Sequence, residues 1–422
     1  MTVEGTTTCA VSGGGPAGIM LGLLLARAGV EVTVLEKHRD FLRDFRGDTV
    51  HPSTLELLDE LGLAEALEAL PHRKLTTVRM GTRDRALVEA DLGLSSSRYR
   101  YHHIAMIPQW DFLDLLVAHA RRYPTFRLLM GAETLGPIRQ GPAVRGLRYR
   151  DADGEHELRA VLTVAADGRR SDLRAAAGMV PRELGAPMDV LWLRLSRRPG
   201  DREGVAGFLG KGEMAAAVDR GDYWQVAFVI PKGSREKVRA QGLETLRGRV
   251  AALVPMLADR VHELDGWEKV AFLEVGLDRL PRWDRPGLLA IGDAAHTMSP
   301  IGGVGINLAV QDAVAAANLL AGPLYRAQAD PRRFERTLDP LLVRRVQRRR
   351  SLPTVGTQLV QQLVQRRVIG RVLDEGEEPQ LPALLGTPLG SRLLSRVFAR
   401  IMLYGLLPEH VRTPERTVSS GG

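Results

Sequence analysis

Cysteine is almost missing from this 422-residue chain, which holds a single one, Cys9. One thiol excludes an intramolecular disulfide and any cysteine-rich metal centre, and its place in the first apolar run marks it as a buried structural residue. The ten histidines contain no H-E-x-x-H pattern and only an isolated His102-His103 pair, so no metal site is expected. No stretch of about eighteen uninterrupted apolar residues occurs, and no basic leader followed by an apolar core and a cleavage site, so a cytoplasmic protein without membrane contact is expected. Internal repeats are absent too. The net charge is +8, yet the basic residues are scattered and carry no recognition motif, which argues for a solvated basic surface and against a nucleic-acid partner.

What is present begins with glycine. Thr8-Cys9-Ala10-Val11 reads as a short strand, and the stretch from Ile19 to Ala28 reads as a helix. Between them lies Gly13-Gly14-Gly15-Pro16-Ala17-Gly18. Gly13, Gly15 and Gly18 have the spacing in which one glycine makes the turn, one lets backbone approach a pyrophosphate and one permits close helix–strand packing. The helix N-terminus, with its unpaired N–H groups, then favours the anion. A second strand from Val30 to Leu35 ends in Glu36, followed by Lys37, where an acid can bind both ribose hydroxyls of an adenosine half. An acid there disfavours a 2′-phosphate, so the expected adenosine is that of FAD or NAD.

A second constellation narrows this to a flavin. Gly287 to Ile291 reads as another strand, and Gly292-Asp293-Ala294-Ala295-His296, Pro300 and Gly302-Gly303-Val304-Gly305-Ile306-Asn307 follow it. Past the carboxyl end of a strand, Asp293 can accept hydrogen bonds from a polyol such as a ribityl chain. The glycines let backbone pass close to a flat ring. The helix from about Asn307 to Ala321, closed by the stop signal Gly322-Pro323, would point its N-terminus at negative charge on a reduced flavin.

With Ala166-Asp167-Gly168-Arg169-Arg170-Ser171 and Arg174 between them, these motifs stand in the order found in the FAD-dependent aromatic hydroxylases of the para-hydroxybenzoate hydroxylase type, and the chain resembles that family from Gly13 to Asn307. The resemblance implies an α/β fold: a Rossmann-like FAD-binding domain (1–75, 100–180 and 280–340, discontinuous), an inserted antiparallel-sheet substrate domain (76–99 and 181–279), and C-terminal helices and tail (341–422). It implies cofactor contacts from Gly13, Gly15, Pro16, Ala17, Gly18, Glu36 and Lys37. Arg46 matches an arginine reaching toward the FAD phosphates, Gln109 a glutamine against the cofactor, and Asp167 the family's Asp-Gly motif. Gly292, Asp293, Pro300, Gly303, Val304, Gly305, Ile306 and Asn307 complete the flavin set. His296 and Pro300 are the candidates at the reacting centre, with Pro300 beside the ring.

Function follows as an expectation: NADH or NADPH reduces FAD, oxygen forms a flavin C4a-hydroperoxide, and an aromatic or polyketide-like substrate is hydroxylated. The flavin does the difficult chemistry, and the protein positions and shields it. No second glycine fingerprint appears, so the nicotinamide would visit transiently, with Arg46, Arg169 and Arg170 near its phosphates. Asp48, two residues after Arg46, would repel a reduced, anionic ring if it lay near it. Trp224-Gln225-Val226 departs from the flavin halogenase signature, which disfavours halogenation. A reductase or oxidase acting on a hydrophobic substrate without oxygen insertion shares the FAD motifs and stays open, as does a flavin-loaded redox sensor.

From about Val180 to Phe272 the pattern turns to short alternating strands, at Val190–Leu195, Val205–Leu209, Met214–Val218 and Tyr223–Ile230. Trp192, Phe208, Met214, Trp224 and Phe228 are the candidate substrate residues, suited to a large, flat, hydrophobic ligand. After Pro340 an arginine run gives way to Val360, Val364, Val368 and Val372, a stripe expected to dock on the other domains. Leu393 to Leu407 reads as a packed helix and the last ten or so residues as disordered. Monomer and homodimer both fit.

Overall fold

The computed structural model describes residues 5–42, 49–81, 86–91, 99–370, 372–373, 400–401 and 403–416. Its first part runs β1 (Thr6–Ser12), α1 (Pro16–Arg27), β2 (Val32–Glu36), β3 (Thr77–Gly81), β4 (Ala86–Asp91), α2 (Gln109–Ala120), β5 (Phe126–Met130) and β6 (Gly154–Ala165). There follow β7 (Met188–Ser196), β8 (Val205–Gly210), β9 (Glu213–Asp219), β10 (Tyr223–Pro231), α3 (Arg235–Ala240) and α4 (Leu243–Leu253). The chain closes with β11 (Val270–Leu273), β12 (Leu288–Ala290), α5 (Gly305–Gln328) and α6 (Pro340–Val364).

Two sheets organise these elements. In the first, β12, β6, β1, β2 and β5 lie side by side in that order, all parallel. The strands are continuous apolar runs, as a parallel sheet covered on its faces requires. Cys9, Ala10 and Val11 are fully buried, and burial of the Cys9 thiol pushes its pKa up to about 12. Helices α1, α2 and α5 share a hydrophobic core with this sheet.

The second sheet has the order β11-β7-β10-β9-β8-β3-β4. Its pairings are antiparallel except for β8 with β3, which run parallel. One face is sealed by α3, α4 and the turn Pro255–Glu263, through Leu193, Val226 and Ala217, all at 0 % exposure. The other face meets Ile301 and Ile369.

Three expectations are corrected here. Gly322-Pro323 does not stop α5, which continues to Gln328 because Leu320, Ala321 and Leu324 are buried in the core. Each such leucine contributes roughly 1.5–3 kcal/mol, enough together to offset the cost of about 3 kcal/mol for an interior proline. On α6 the most deeply buried face is not the valine stripe. Val360 packs against Val304 and Leu308 and Val372, beyond the helix, is 1 % exposed, so part of the stripe docks; Val364 is only partly buried, the Val368 side chain lies outside the description, and Arg350, Thr354, Gln358 and Gln361 on α6 are at or below 1 % exposure. Finally, of the last ten residues, Thr413–Arg416 are held against α1, with Arg416 N donating to Arg27 O at 2.9 Å and Arg27 Nη1 donating to Thr413 O at 2.5 Å, while 417–422 lie outside the described residues. Of Leu393–Leu407, residues 393–399 and 402 lie outside the described residues.

Among the described residues one helical stretch, Ile301–Gln328, is long and apolar enough to cross a membrane, but 78 % of its most apolar part is buried inside the protein. It is a core helix.

Candidate active site

The four central parallel strands deliver four elements to one edge. Asp293 lies just past β12, Asp167 past β6, the Gly13–Gly15 turn past β1, and Glu36 at the end of β2. With strands about 4.8 Å apart, the row spans roughly 14 Å. Crevices at the carboxyl ends of open α/β sheets are where ligands bind.

The glycines divide into those the protein needs and one it does not. A Cβ on Gly13, at φ +104°, would lie 2.4 Å from Ala166 O, and one on Gly18 would lie 1.9 Å from Gly13 O. Gly14 is hemmed in by Glu36. Gly15 differs: its φ of −76° suits any L-residue, and a Cβ there would meet nothing within 4 Å. No neighbour among the described residues explains a glycine at Gly15, which stands at the N-cap of α1, next to Pro16 and Ala17. The space in front of a helix N-terminus is what a diphosphate would take.

Two carboxylates frame this turn. Glu36, 9 % exposed, accepts from Gly14 N through Oε2 and from His38 N through Oε1, each at 3.0 Å. The end of the second strand, where this carboxylate stands, is where the ribose of an adenosine half would lie. Asp167 presents a buried Oδ1 that has no partner among the described residues, while its Oδ2 accepts from Leu173 N at 3.4 Å. Burial pushes its carboxyl above the usual range, against the hydrogen bond from Ser171. An orphaned buried oxygen beside the glycine turn fits a polar group supplied by a ligand.

Lys37 is exposed, and Gln109, at the start of α2, makes no side-chain hydrogen bond among the described residues. Arg46 and Asp48 lie outside the described residues.

The second motif is held from behind. Gly292, at φ +58°, sits where a Cβ would meet Ala17 Cβ at 3.1 Å and Ala309 Cβ at 3.3 Å, so α1 and α5 close on it. Its N–H donates to Asp312 Oδ2 at 3.1 Å. The same oxygen is 2.6 Å from His296 Nε2, and Arg350 Nε donates to Asp312 Oδ1 at 3.0 Å. All three side chains are essentially buried. Burial works to raise the Asp312 carboxyl, but His296 and Arg350 outweigh it and hold it below the usual range. His296 is thereby placed to position the turn from within the core.

The loop after it is pinned on two sides. Thr49 Oγ1 donates to Gly303 O at 2.8 Å, and a Cβ on Gly303 would strike that hydroxyl at 2.4 Å. Asn307 is fully engaged: Oδ1 accepts from His51 N and Thr54 Oγ1, and Nδ2 donates to Thr49 O and Gly303 O. Gln361 Nε2 donates to Ser299 O at 3.0 Å and Ile301 O at 2.9 Å, and its Oε1 accepts from Ser299 N. Gln358 does the same one turn earlier, for Asp278 O and Thr297 O. Pro300, Gly305 and Ile306 keep partial exposure and Val304 is buried at 4 %.

Strand register sorts the candidate substrate residues. Trp192 and Met214 lie on the sheet face that packs against Ile301. Phe208, Trp224 and Phe228 lie on the opposite face, in the core under α3 and α4, because Trp192 pairs with Ala227 and the next residue along β10 points the other way. Trp224 is 1 % exposed and its Nε1 donates to Asp201 Oδ2 at 2.9 Å. These three are structural.

A family model described as "FAD binding domain" matches residues 6–337. The chain is also 35 % identical to the 6-methylpretetramide 4-monooxygenase of Streptomyces rimosus over 347 residues, 81 % of this chain and 80 % of that one. It belongs to the FAD-dependent aromatic hydroxylases.

As a FAD-dependent monooxygenase it is further similar to the rifampicin monooxygenase of Streptomyces venezuelae, at 29 % identity over 72 % of this chain and 61 % of that protein. The solved structure of p-nitrophenol 4-monooxygenase from Pseudomonas putida shares its fold, with a TM-score of 0.73 at 18 % identity, covering 95 % of this chain and 99 % of that one. Asp312, Arg350, Gln358 and Gln361 are the residues of this monooxygenase that the sequence motifs did not single out. A polar i, i+3 pair on a helix reads as a solvent face until the helix is known to be covered.

Proposed function

We propose that the monooxygenase takes hydride from NADH or NADPH and, with molecular oxygen, hydroxylates an aromatic or polyketide-like substrate. The observation that carries this is the apolar face of the second sheet set against Ile301, in the loop that follows the Asp293 turn. That arrangement puts a dry surface next to the stretch expected to run along the flavin. The relative acting on 6-methylpretetramide, at 35 % identity, supports a polyketide-like substrate.

FAD, when bound, supplies hydride acceptance and oxygen transfer by the C4a route; the chain holds, orients and shields. The α1 N-terminus and the Gly13–Gly18 backbone face the diphosphate. Glu36 would take the ribose hydroxyls, Asp293 the ribityl chain, and Asp167 Oδ1 one further donor of the bound group. The Gly303–Asn307 stretch offers backbone N–H groups at the start of α5. Pro300 would lie beside the ring of a bound flavin, and His296 would act through Asp312 and the Gly292 turn. Arg169 and Arg170 are exposed beside Glu274, with Arg169 Nη1 donating to Glu274 O at 3.0 Å, within reach of a visiting nicotinamide's phosphates. A reducing, cytoplasmic setting belongs to the same proposal.

The test is anaerobic stopped-flow reduction of the FAD-loaded protein by NADH and by NADPH, with and without phenols and polycyclic aromatic polyketides. It is followed by aerobic turnover under labelled oxygen. Substrate-accelerated bleaching with label in the product is expected. Rapid bleaching with no label incorporated would assign a reductase or oxidase instead.

A further inference from the structure

The face of the second sheet that meets Ile301 carries an unusual row. Running across the strands, the register aligns Ala271 with Trp192, Trp192 with Ala227, Ala227 with Ala216, and Ala216 with Gly207. After Trp192 the next three positions are therefore two alanines and a glycine. Their neighbours two residues away on either side are larger: Val190, Val229 and Met214 along one flank, Gln225, Val218 and Val205 along the other. Small side chains between two larger flanks make a trough, with its axis across the strands.

The trough is not filled from within the sheet. Trp192, Ala227, Ala216 and Gly207 all keep partial exposure although they sit on interior strands, whereas Leu193, Val226 and Ala217, one residue along on the sealed face, are at 0 %. At one end stands the Trp192 indole, whose Nε1 is buried and has no hydrogen-bond partner. Burying an indole N–H unpaired is unfavourable, and such donors are normally matched by something. Among the described residues nothing matches this one.

We propose that this trough seats a linearly fused aromatic polycycle, its long axis across β7, β10, β9 and β8, with a substrate oxygen accepting from Trp192 Nε1 at the end of the row. The inference rests on the monooxygenase reading above and names the class of substrate within it. Three strand spacings give a length of about 14 Å, which a single ring leaves mostly bare and roughly three or four fused rings fill. The face contributes flat apolar area and one fixed donor, the combination that orients a planar ligand in a pocket. The Trp192 donor sets which end of the polycycle lies at β7, and hence which ring is presented to the Ile301 loop.

The test is a titration of the FAD-loaded protein with the hydroxylated carboxylates of benzene, naphthalene, anthracene and tetracene, read as perturbation of the flavin absorption spectrum. Affinity should rise along the series, by on the order of tenfold or more from one ring to four. Ala216→Leu, which raises a side chain in the middle of the trough, should cut the ratio of four-ring to one-ring affinity by on the order of tenfold. Ala227→Val repeats that test should A216L fail to bind FAD. Trp192→Phe keeps the ring and removes the donor. It should weaken the hydroxylated polycycles while leaving their deoxy counterparts bound as in the parent. A flat affinity series, or an A216L ratio equal to the parent's, overturns the trough; if single-ring phenols are nonetheless hydroxylated, the proposed function survives it. No perturbation by any member, together with no label in any product, overturns both.

Discussion

Replacing Asp312 with asparagine tests whether the flavin-side turn is held from the C-terminal helix. The side chain keeps its shape and loses its charge, and an amide nitrogen replaces one of two accepting oxygens. Three groups depend on those oxygens: Gly292 N–H at 3.1 Å, His296 Nε2 at 2.6 Å and Arg350 Nε at 3.0 Å. Arg350, 1 % exposed, would retain only Glu409 as a charge partner, at 3.6 Å. Breaking a buried pair by removing one member costs about 3–5 kcal/mol, and the remaining Glu409 places the expectation near the lower end, about 3 kcal/mol. Denaturant unfolding of the FAD-loaded protein, followed by release of flavin fluorescence, measures it. With one accepting oxygen left for groups on both sides, the hold on Gly292 N–H weakens, and a loss of up to about 1.4 kcal/mol should also appear in cofactor binding, raising the Kd for FAD by up to about tenfold.

The pairing itself is checked with Arg350→Met alone and combined with Asp312→Leu. The double variant should cost less than the sum of the singles by at least about 1 kcal/mol, since neither charge is then left alone. The sign with pH is fixed by the lowered Asp312 carboxyl. Its contribution is present above the unfolded value of about 3.9 and lost as pH falls, so the advantage of the parent over D312N should shrink in acid. A D312N variant within about 0.5 kcal/mol of the parent, or strictly additive double-variant costs, would refute the reasoning.

Other expectations follow from the same packing. Gly15→Ala should fold normally and lose FAD affinity by on the order of tenfold or more, whereas Gly18→Ala, facing Gly13 O, should fail as a folded protein; equilibrium dialysis and circular dichroism separate the two. Trp224→Phe should cost about 1–2 kcal/mol of stability through the lost bond to Asp201, with the substrate KM unmoved; a raised KM would return Trp224 to the substrate surface. Asp201 is held far below the usual carboxylate range, chiefly by its hydrogen bonds from Arg260. Asp201→Asn should therefore destabilise at neutral pH and flatten the acid limb of the stability curve, an outcome that urea titrations between pH 3 and 7, roughly the window below and above the free carboxylate value, would reveal.

The glycine turn, Glu36, Asp167 and Asp293 were legible because their spacing answers to backbone geometry: a strand must end, a turn must have positive φ, and a helix must start. The structure adds the adjacency, since only strand order puts β12, β6, β1 and β2 in a row. The alternating strands of the second sheet were equally legible, but their faces were not. Which parity faces the loop depends on where α3 and α4 pack, and so Trp192 and Met214 could not be told from Phe208, Trp224 and Phe228. On α6 the valines drew attention because apolar periodicity is the usual mark of a docked helix. Val360 does dock, on Val304 and Leu308, but the most deeply buried positions of the helix are polar, and its glutamines are buried because loop backbone, with its own N–H and C=O groups, is what they cover.

Those glutamines bear on any attempt to recombine this protein with its relatives. The stretch matching the FAD-binding family ends at residue 337, before α6 begins. Yet the loop bearing Pro300 is stitched to Gln358 and Gln361, and the turn at Gly292 answers through Asp312 to Arg350. A chimera cut at the end of the matched region would import a foreign helix beneath a native loop, and its hydrogen-bond partners would be mismatched along the loop that bears Pro300. The workable exchange unit runs from β12 through at least Gln365, so that the loop travels with the helix that reads it.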